Sequence, residues 1–179
     1  MEGIEYYEDR KLDKSQMLRL STCKYIDEGH HVILEGASGN GKTYIASALG
    51  NAACRRFKKV TYIRMPELLD ELTIARSSGE LKKLLASYKK VDLLIRPLTP
   101  QESYDLLEIA EARSQRSMIF CTQYQPVGWY TRIDSNPESD SPISEAIMDR
   151  IVHNSYKSVS MRERKGLKAS MQEGGADNG

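Results

Sequence analysis

The chain has 179 residues, enough for one domain that buries a sizeable core without disulfides or metals. Hydrophobic residues make up 40% and charged residues 28%, as in ordinary soluble globular proteins, and the net charge is only +1. This balance excludes a uniformly basic nucleic-acid binder, so any DNA contact must come from a local patch. No apolar run is long enough to cross a membrane, and we expect a cytoplasmic protein.

Cysteine and histidine usage supports the same location. Three cysteines and three histidines are present: Cys23, Cys54, Cys121, His30, His31 and His153. The cysteines are odd in number and form no C-x-x-C motif, which is typical of reduced, partly buried thiols in the cytosol. No histidine has metal-ligand spacing with a cysteine, so we predict no structural zinc. The adjacent pair at 30 and 31 is interpreted as the turn that enters a strand.

Hydrophobic periodicity predicts alternating helices and strands along the chain. In order, we predict a helix at 12–26 capped by Asp13, a strand at 31–35, a helix at 42–57, a strand at 60–64, a helix from Pro66 to a break at 77–79, a helix at 80–88, a strand at 91–95, a helix at 101–113, a strand at 117–122, a helix at 143–152 and a strand at 158–161. This alternation is typical of a three-layer α/β sandwich around a central parallel sheet. We expect one domain over residues 1–170 and a disordered tail at 171–179.

The segment after the first predicted strand fits the phosphate-binding pattern G-x-x-x-x-G-K-[ST] at every fixed position. Its residues are Gly36, Ala37, Ser38, Gly39, Asn40, Gly41, Lys42 and Thr43. Glycines let backbone N–H groups turn inward, and the following helix adds the positive end of its dipole. Lys42 would reach the β- and γ-phosphates of ATP, and the Thr43 hydroxyl would bind Mg²⁺. A glycine-rich turn before an ordinary helix is the weaker alternative.

Three further stretches are ALG at 48–50, RMPELL at 64–69 and AIMDRIVHN at 146–154. Together with the phosphate-binding segment, they resemble the IstB-like group of AAA+ ATPases, which assist insertion-sequence transposition and are close relatives of DnaC-type helicase loaders. The resemblance covers residues from about 10 to 165 and implies a P-loop NTPase fold of the AAA+ type. It also implies an ATP-dependent helper that forms homo-oligomers on DNA and recruits a transposase. The family has an additional N-terminal domain, so we expect this chain to be the ATPase module alone.

The resemblance also implies catalytic roles for polar residues outside the loop. Thr122 and Gln123, at the end of the fourth strand, match the residue that senses the γ-phosphate. Arg150 matches the arginine finger, which reaches into the nucleotide site of a neighbouring subunit. Arg162 resembles the second sensor arginine, with Arg164 as the fallback. Guanidinium groups suit these roles because they stabilise the negative charge that spreads during phosphoryl transfer.

One feature expected of P-loop ATPases is missing after the third predicted strand. An acidic pair should stand there, one acid to help hold Mg²⁺ and one to orient the attacking water. Ile95 instead runs into Arg96 and Pro97, while Asp92 lies at the wrong end of the strand and Glu102 follows a proline-bounded turn. Either the acids are lost or a segment carrying them goes unobserved. We predict the second, seen as a chain break after residue 95, because a strand ending there would stop short of the sheet edge. An unbroken chain would predict ATP binding without useful hydrolysis.

Several functions remain open from the sequence. The leading hypothesis is a transposition helper, and a DnaC-like replicative helicase loader shares every motif but differs in its partner. A nucleotide-dependent scaffold without turnover fits the missing acids, and a small-molecule kinase is weakened by the AAA+-like arginines. Basic clusters at 55–59 and 157–168 would make non-specific DNA contacts that an oligomer strengthens. The lysines at 82, 83, 89 and 90 are interpreted as a solvated face, with DNA contact as the alternative.

Overall fold

The computed structural model describes residues 12–97, 103–125, 128–129 and 142–161. Five parallel strands form one sheet in the order β2-β3-β4-β1-β5. Their bounds are β1 His31–Gly36, β2 Val60–Tyr62, β3 Leu93–Pro97, β4 Ser117–Thr122 and β5 Ser155–Met161. The predicted α/β fold with a central parallel sheet is confirmed. None of the described helices has the length and apolar character needed to cross a membrane.

Helices cover both faces of the sheet. They are α1 Lys14–Ser21, α2 Lys24–Asp27, α3 Lys42–Cys54, α4 Met65–Ser77, α5 Leu81–Lys89, α6 Ser103–Ala112 and α7 Pro142–Met148, which continues as a π-helical segment, Asp149–His153. Alternation along β1 shows the layering, because Val32 and Leu34 pack against α1–α3 while Ile33 packs against the apolar residues of α4–α7. The core is therefore split by the sheet into two apolar layers.

Two predicted elements near the chain ends differ from those observed. The single helix predicted at 12–26 is interrupted at Cys23, whose φ of 62° is left-handed, and this turn buries Tyr25 and Ile26 in the core. Asp13 caps α1 as predicted, since its carboxylate accepts the Ser15 N–H at 2.8 Å. Strand β5 begins at Ser155, three residues earlier than predicted, because its pairing with β1 extends back to the strand entry.

The predicted break between Ile95 and Arg96 is wrong. Strand β3 runs without interruption to Pro97 and pairs with β4 over its whole length, with Pro97 opposite Cys121. The strand begins and ends two residues later than predicted because Asp92 belongs to the preceding turn. The Asp92 N–H donates to the Lys59 carbonyl at 2.9 Å, and the Asp92 carboxylate accepts the Lys59 N–H at 2.9 Å. The strand therefore reaches the carboxyl edge of the sheet.

Arg113 is fully buried after α6 and binds three chain segments together. Its guanidinium donates to the carbonyls of Tyr88, Val91 at 3.0 Å and Ser117 at 2.7 Å. Burial lowers the pKa of Arg113 to about 10, so the side chain stays charged at neutral pH. This arginine therefore fixes the end of α5, the turn before β3 and the start of β4 relative to one another.

Replacing Arg113 with Met should lower the free energy of unfolding by roughly 3 kcal/mol, because buried carbonyls lose their donor. Urea denaturation measures this difference. Arg116→Met is the matched control: Arg116 is exposed and pairs with Asp92, so its loss should cost less than about 1 kcal/mol. Equal costs for the two variants would contradict the bracing role of Arg113.

Candidate nucleotide-binding site

The loop at residues 36–43 lies at the carboxyl end of β1 and leads directly into α3. Gly39 has a φ of 82° and Gly41 a φ of 80°, both in the left-handed region that side chains rarely adopt. Space does not limit these positions, because an added Cβ would meet nothing within 4 Å at either glycine. The backbone conformation alone therefore requires glycine at both places.

The Lys42 side chain folds back and hydrogen-bonds the start of the phosphate loop. Its Nζ donates to the carbonyls of Gly36 and Ala37, each at 2.7 Å. Burial lowers the pKa of the Lys42 ammonium, with the nearby Cys121 acting in the opposite direction. The same burial raises the pKa of the Cys121 thiol to about 11, so it stays neutral at physiological pH. The ammonium is thus held against backbone carbonyls, where phosphate oxygens would compete for its protons.

The end of β4 lies beside this loop, as the sequence predicts. Thr122 pairs in register with Glu35, the residue directly before the loop. The buried Thr122 hydroxyl accepts the Tyr124 N–H at 3.1 Å and donates to the Tyr124 carbonyl at 3.3 Å, so it is engaged in a turn. Gln123 is exposed at the same edge. Of the two residues predicted to sense a phosphate, Gln123 therefore has the more available side chain.

Sequence reasoning missed Glu35, a buried acidic residue with 7% exposure. It pairs with Thr122 on one side and Ser160 on the other. The available signal was a carboxylate within an otherwise apolar strand, immediately before Gly36. Glu35 gives the carboxyl edge an acid on the strand that carries the loop.

The acidic pair expected on β3 is absent from that strand. Its five residues contain no carboxylate, and its last residue, Pro97, lies opposite Cys121, which pairs with Leu34 two residues before the loop. Asp92 lies at the amino end of the strand, as the sequence predicted, and its carboxylate pairs with Arg116 at 2.8 Å. Glu102 lies outside the described residues. Within the described residues, β3 therefore lacks the acids that would position a metal-bound and an attacking water.

Arg150 lies at the opposite edge of the sheet from the phosphate loop. It belongs to the π-helical segment that precedes β5, and its guanidinium donates to the Ala146 carbonyl and pairs with Glu111, both at 3.2 Å. The six residues of β1 separate the two edges by about 17 Å. Arg150 therefore does not join the nucleotide site of its own chain. The other predicted arginines, Arg162 and Arg164, lie outside the described residues.

His31 holds the π-helical segment against the sheet. Its ring is 1% exposed, accepts the Met118 N–H at 3.3 Å and hydrogen-bonds the backbone of Arg150. It also packs edge-on against Phe120 at a centroid distance of 5.8 Å. Burial lowers the pKa of His31 to about 4, so the ring is neutral at physiological pH. The predicted strand-entry position is confirmed, and the residue also supports the segment that carries Arg150.

Comparison with known sequences identifies the family. A profile of the IstB-like ATP binding proteins matches residues 1–169. The chain belongs to this family. An insertion sequence ATP-binding protein of Sinorhizobium fredii (strain NBRC 101917 / NGR234) is 36% identical over 162 residues, which are 87% of this chain and 64% of that protein. This IstB-like chain thus spans less than two thirds of that relative.

Solved structures show that the IstB-like chain has an AAA+ fold. A crystal structure of DnaI superimposes with a TM-score of 0.71 at 20% identity and covers 88% of each chain. The replication initiator DnaA bound to AMPPCP and single-stranded DNA gives a TM-score of 0.64 at 17% identity, covering 91% of this chain and 52% of that one. At such identities the likeness concerns the fold alone.

Lys42→Ala should weaken ATP binding by roughly two orders of magnitude or more, because the phosphates lose a charged donor. Isothermal titration calorimetry measures the affinity. Lys59→Ala removes a lysine at the other edge of the sheet and should bind ATP like the wild type. Unchanged affinity in Lys42→Ala would overturn the assignment of the phosphate loop.

His31 should make stability depend on pH in a defined window. An unfolded histidine has a pKa of about 6.5, so between pH 6.5 and 4 the unfolded chain gains a proton that the folded protein excludes. Stability is complete above this window and falls by up to about 3 kcal/mol as the pH decreases through it.

His31→Phe should remove this contribution and flatten the pH dependence of the unfolding free energy, measured by urea titration. His153→Phe changes an exposed histidine and should retain the wild-type slope. A slope that is the same in both variants would contradict the assignment to His31.

Proposed function

We propose that this chain is the nucleotide-binding module of an insertion-sequence helper protein. It binds ATP with Mg²⁺ in the cytoplasm, assembles into homo-oligomers on DNA and recruits a transposase. The observation that carries the proposal is the placement of the phosphate loop and Arg150 at opposite edges of one parallel sheet. Each subunit then offers a nucleotide at one edge and an arginine at the other, so a complete site needs two subunits.

Head-to-tail contact between subunits satisfies this geometry. The side of the amino edge that carries Arg150, over the α4–α7 layer, would face the carboxyl edge of the next sheet, a heterologous contact that builds rings or filaments. The ion pair of Arg150 with Glu111 is partly exposed on both sides, and pairs of this kind contribute at most about 1 kcal/mol. Its guanidinium can therefore turn to a neighbour's phosphates at little cost.

Three residues complete the nucleotide site in this proposal. The exposed hydroxyl of Thr43, in the first turn of α3, would bind Mg²⁺, and the exposed Gln123 would contact the γ-phosphate. Arg162 directly follows Met161, which pairs with Gly36 at the start of the loop. This register supports Arg162 as the second sensor, with Arg164 as the alternative.

Hydrolysis is expected to be slow. Strand β3 provides no carboxylate at the carboxyl edge, whereas nucleotide binding relies on the loop backbone, Lys42 and Thr43. ATP would then act by holding subunits together, as in a scaffold, and phosphate release should be slow with or without DNA. The insertion-sequence protein among the relatives favours a transposase over a replicative helicase as partner, and pull-down against each distinguishes them.

Arg150→Ala should bind ATP like the wild type but fail to assemble when ATP is added, as measured by sedimentation velocity. Arg76→Ala breaks a similarly exposed ion pair with Glu108 and should still assemble. Mixing Arg150→Ala with Lys42→Ala should restore ATP-dependent pairs, because one variant supplies an intact loop and the other an intact arginine. A mixture that never associates would refute the action of Arg150 on a neighbouring subunit.

A further inference from the structure

Three loops at the amino edge of β2, β3 and β4 concentrate positive charge. Residues 55–59 contribute four basic side chains, residues 89–92 two and residues 113–116 one exposed arginine, Arg116, besides the buried Arg113, against one acid, Asp92. The whole chain has a net charge of only +1. This amino-edge patch is therefore a local segregation of charge that the overall composition conceals.

Hydrogen bonds bring these loops into direct contact. The Lys59 carbonyl accepts the N–H groups of Asp92 at 2.9 Å and Leu93 at 3.1 Å. Arg113 donates to Val91 in the second loop, and Arg116 of the third loop pairs with Asp92 at 2.8 Å. The one acid of the patch is thus already neutralised within it.

Most of the remaining cations of the patch are exposed and have no acidic partner among the described residues. Lys58 pairs with Asp27 of α2. Arg55, Arg56, Lys89 and Lys90 are exposed and form no ion pair with any residue that the structure describes. Such a surface attracts a polyanion, because few of its positive charges are neutralised by ion pairs within the protein.

Phe57 lies between Arg56 and Lys58 in the first of these loops, with 97% of its surface exposed. Its φ of 59° is left-handed, and its N–H bonds the Cys54 carbonyl at 2.9 Å while the Lys58 N–H bonds that of Ala53 at 3.1 Å. This is the left-handed cap at the end of α3, a position that glycine usually occupies. A phenylalanine there strains the backbone and gains no burial, so the fold does not explain the ring.

We propose that the amino-edge patch binds single-stranded DNA, with Phe57 stacking on a base and Arg55 and Arg56 contacting phosphates. Phosphate contacts require only free cations, whereas a stacking ring requires an accessible base face, which a single strand offers and a closed duplex does not. The inference rests on the proposed function and deepens it, because it assigns the DNA contact to the sheet edge opposite the nucleotide. Assembly would align several patches and strengthen binding through multivalency.

Fluorescence anisotropy with a labelled oligothymidylate and a duplex of equal length, with ATP present, tests this assignment on the full chain. Phe57→Gly keeps the left-handed backbone and removes the ring, so single-strand affinity should fall at least about fivefold. Duplex affinity should change little. The thermal midpoint should stay unchanged or rise, because glycine adopts this φ without strain. Phe57→Trp should retain single-strand binding.

A charge variant tests the phosphate contacts separately. Arg55→Ala combined with Arg56→Ala should weaken binding to both DNAs and reduce the salt dependence by about two contacts. Lys82→Ala combined with Lys83→Ala, on α5 outside the three loops, removes the same charge and should bind DNA like the wild type. Equal losses in the two double variants would overturn the proposal in favour of a general charge effect.

The remaining outcomes separate this inference from the proposed function. A wild-type protein that binds ATP but neither DNA would contradict the proposed function itself. Wild-type DNA binding that is unchanged in Phe57→Gly overturns the stacking role alone. Loss of ATP-dependent assembly in Phe57→Gly with unchanged DNA affinity would make the patch a protein contact and would also overturn the inference.

Discussion

The common direction of the five strands is the constraint on which the rest of the structure depends. Every loop that follows a strand lies at one edge of a parallel sheet, and every loop that precedes a strand lies at the other. The phosphate loop and Gln123 therefore share the carboxyl edge, while Arg150 and the amino-edge patch share the other. The length of β1 keeps these two sets about 17 Å apart. Any chemistry that combines them requires a second subunit.

Nucleotide binding and hydrolysis depend on different parts of this sheet. The part needed for binding is present, whereas β3 lacks the acids needed for hydrolysis. The glycines at 39 and 41, Lys42 and the start of α3 form a phosphate loop with the expected conformation. Strand β3 reaches the same edge but ends in Arg96 and Pro97 where acids are needed. The two contributions are physically separable because backbone amides and a lysine stabilise a bound triphosphate without activating a water. This difference supports the proposed ATP-dependent assembly with slow turnover.

Buried polar side chains brace the amino edge. Arg113 joins α5, β3 and β4 through three carbonyls, and His31 joins β1, β4 and the π-helical segment. Buried groups with several hydrogen-bond partners fix geometry because an alternative arrangement leaves them unsatisfied. Arg150 and the exposed cations of the patch therefore project from a supported framework. Phe57 differs from these braced residues, because its backbone is strained and its ring is exposed and available to a ligand.

The amino-acid sequence alone determined the order of elements, the phosphate loop and the family, because these depend on local periodicity and short spacing. It placed β1 and β4 almost at their observed bounds. It failed at Cys23, where a left-handed residue splits the first helix, and at β3, where the hydrogen bonds of Asp92 to a distant residue shift the strand. Only the tertiary structure decided that Arg150 lies far from its own phosphate loop and that three basic loops meet at Lys59 and Asp92. Those distances follow from the strand order β2-β3-β4-β1-β5, which is set by pairing between segments far apart in the chain.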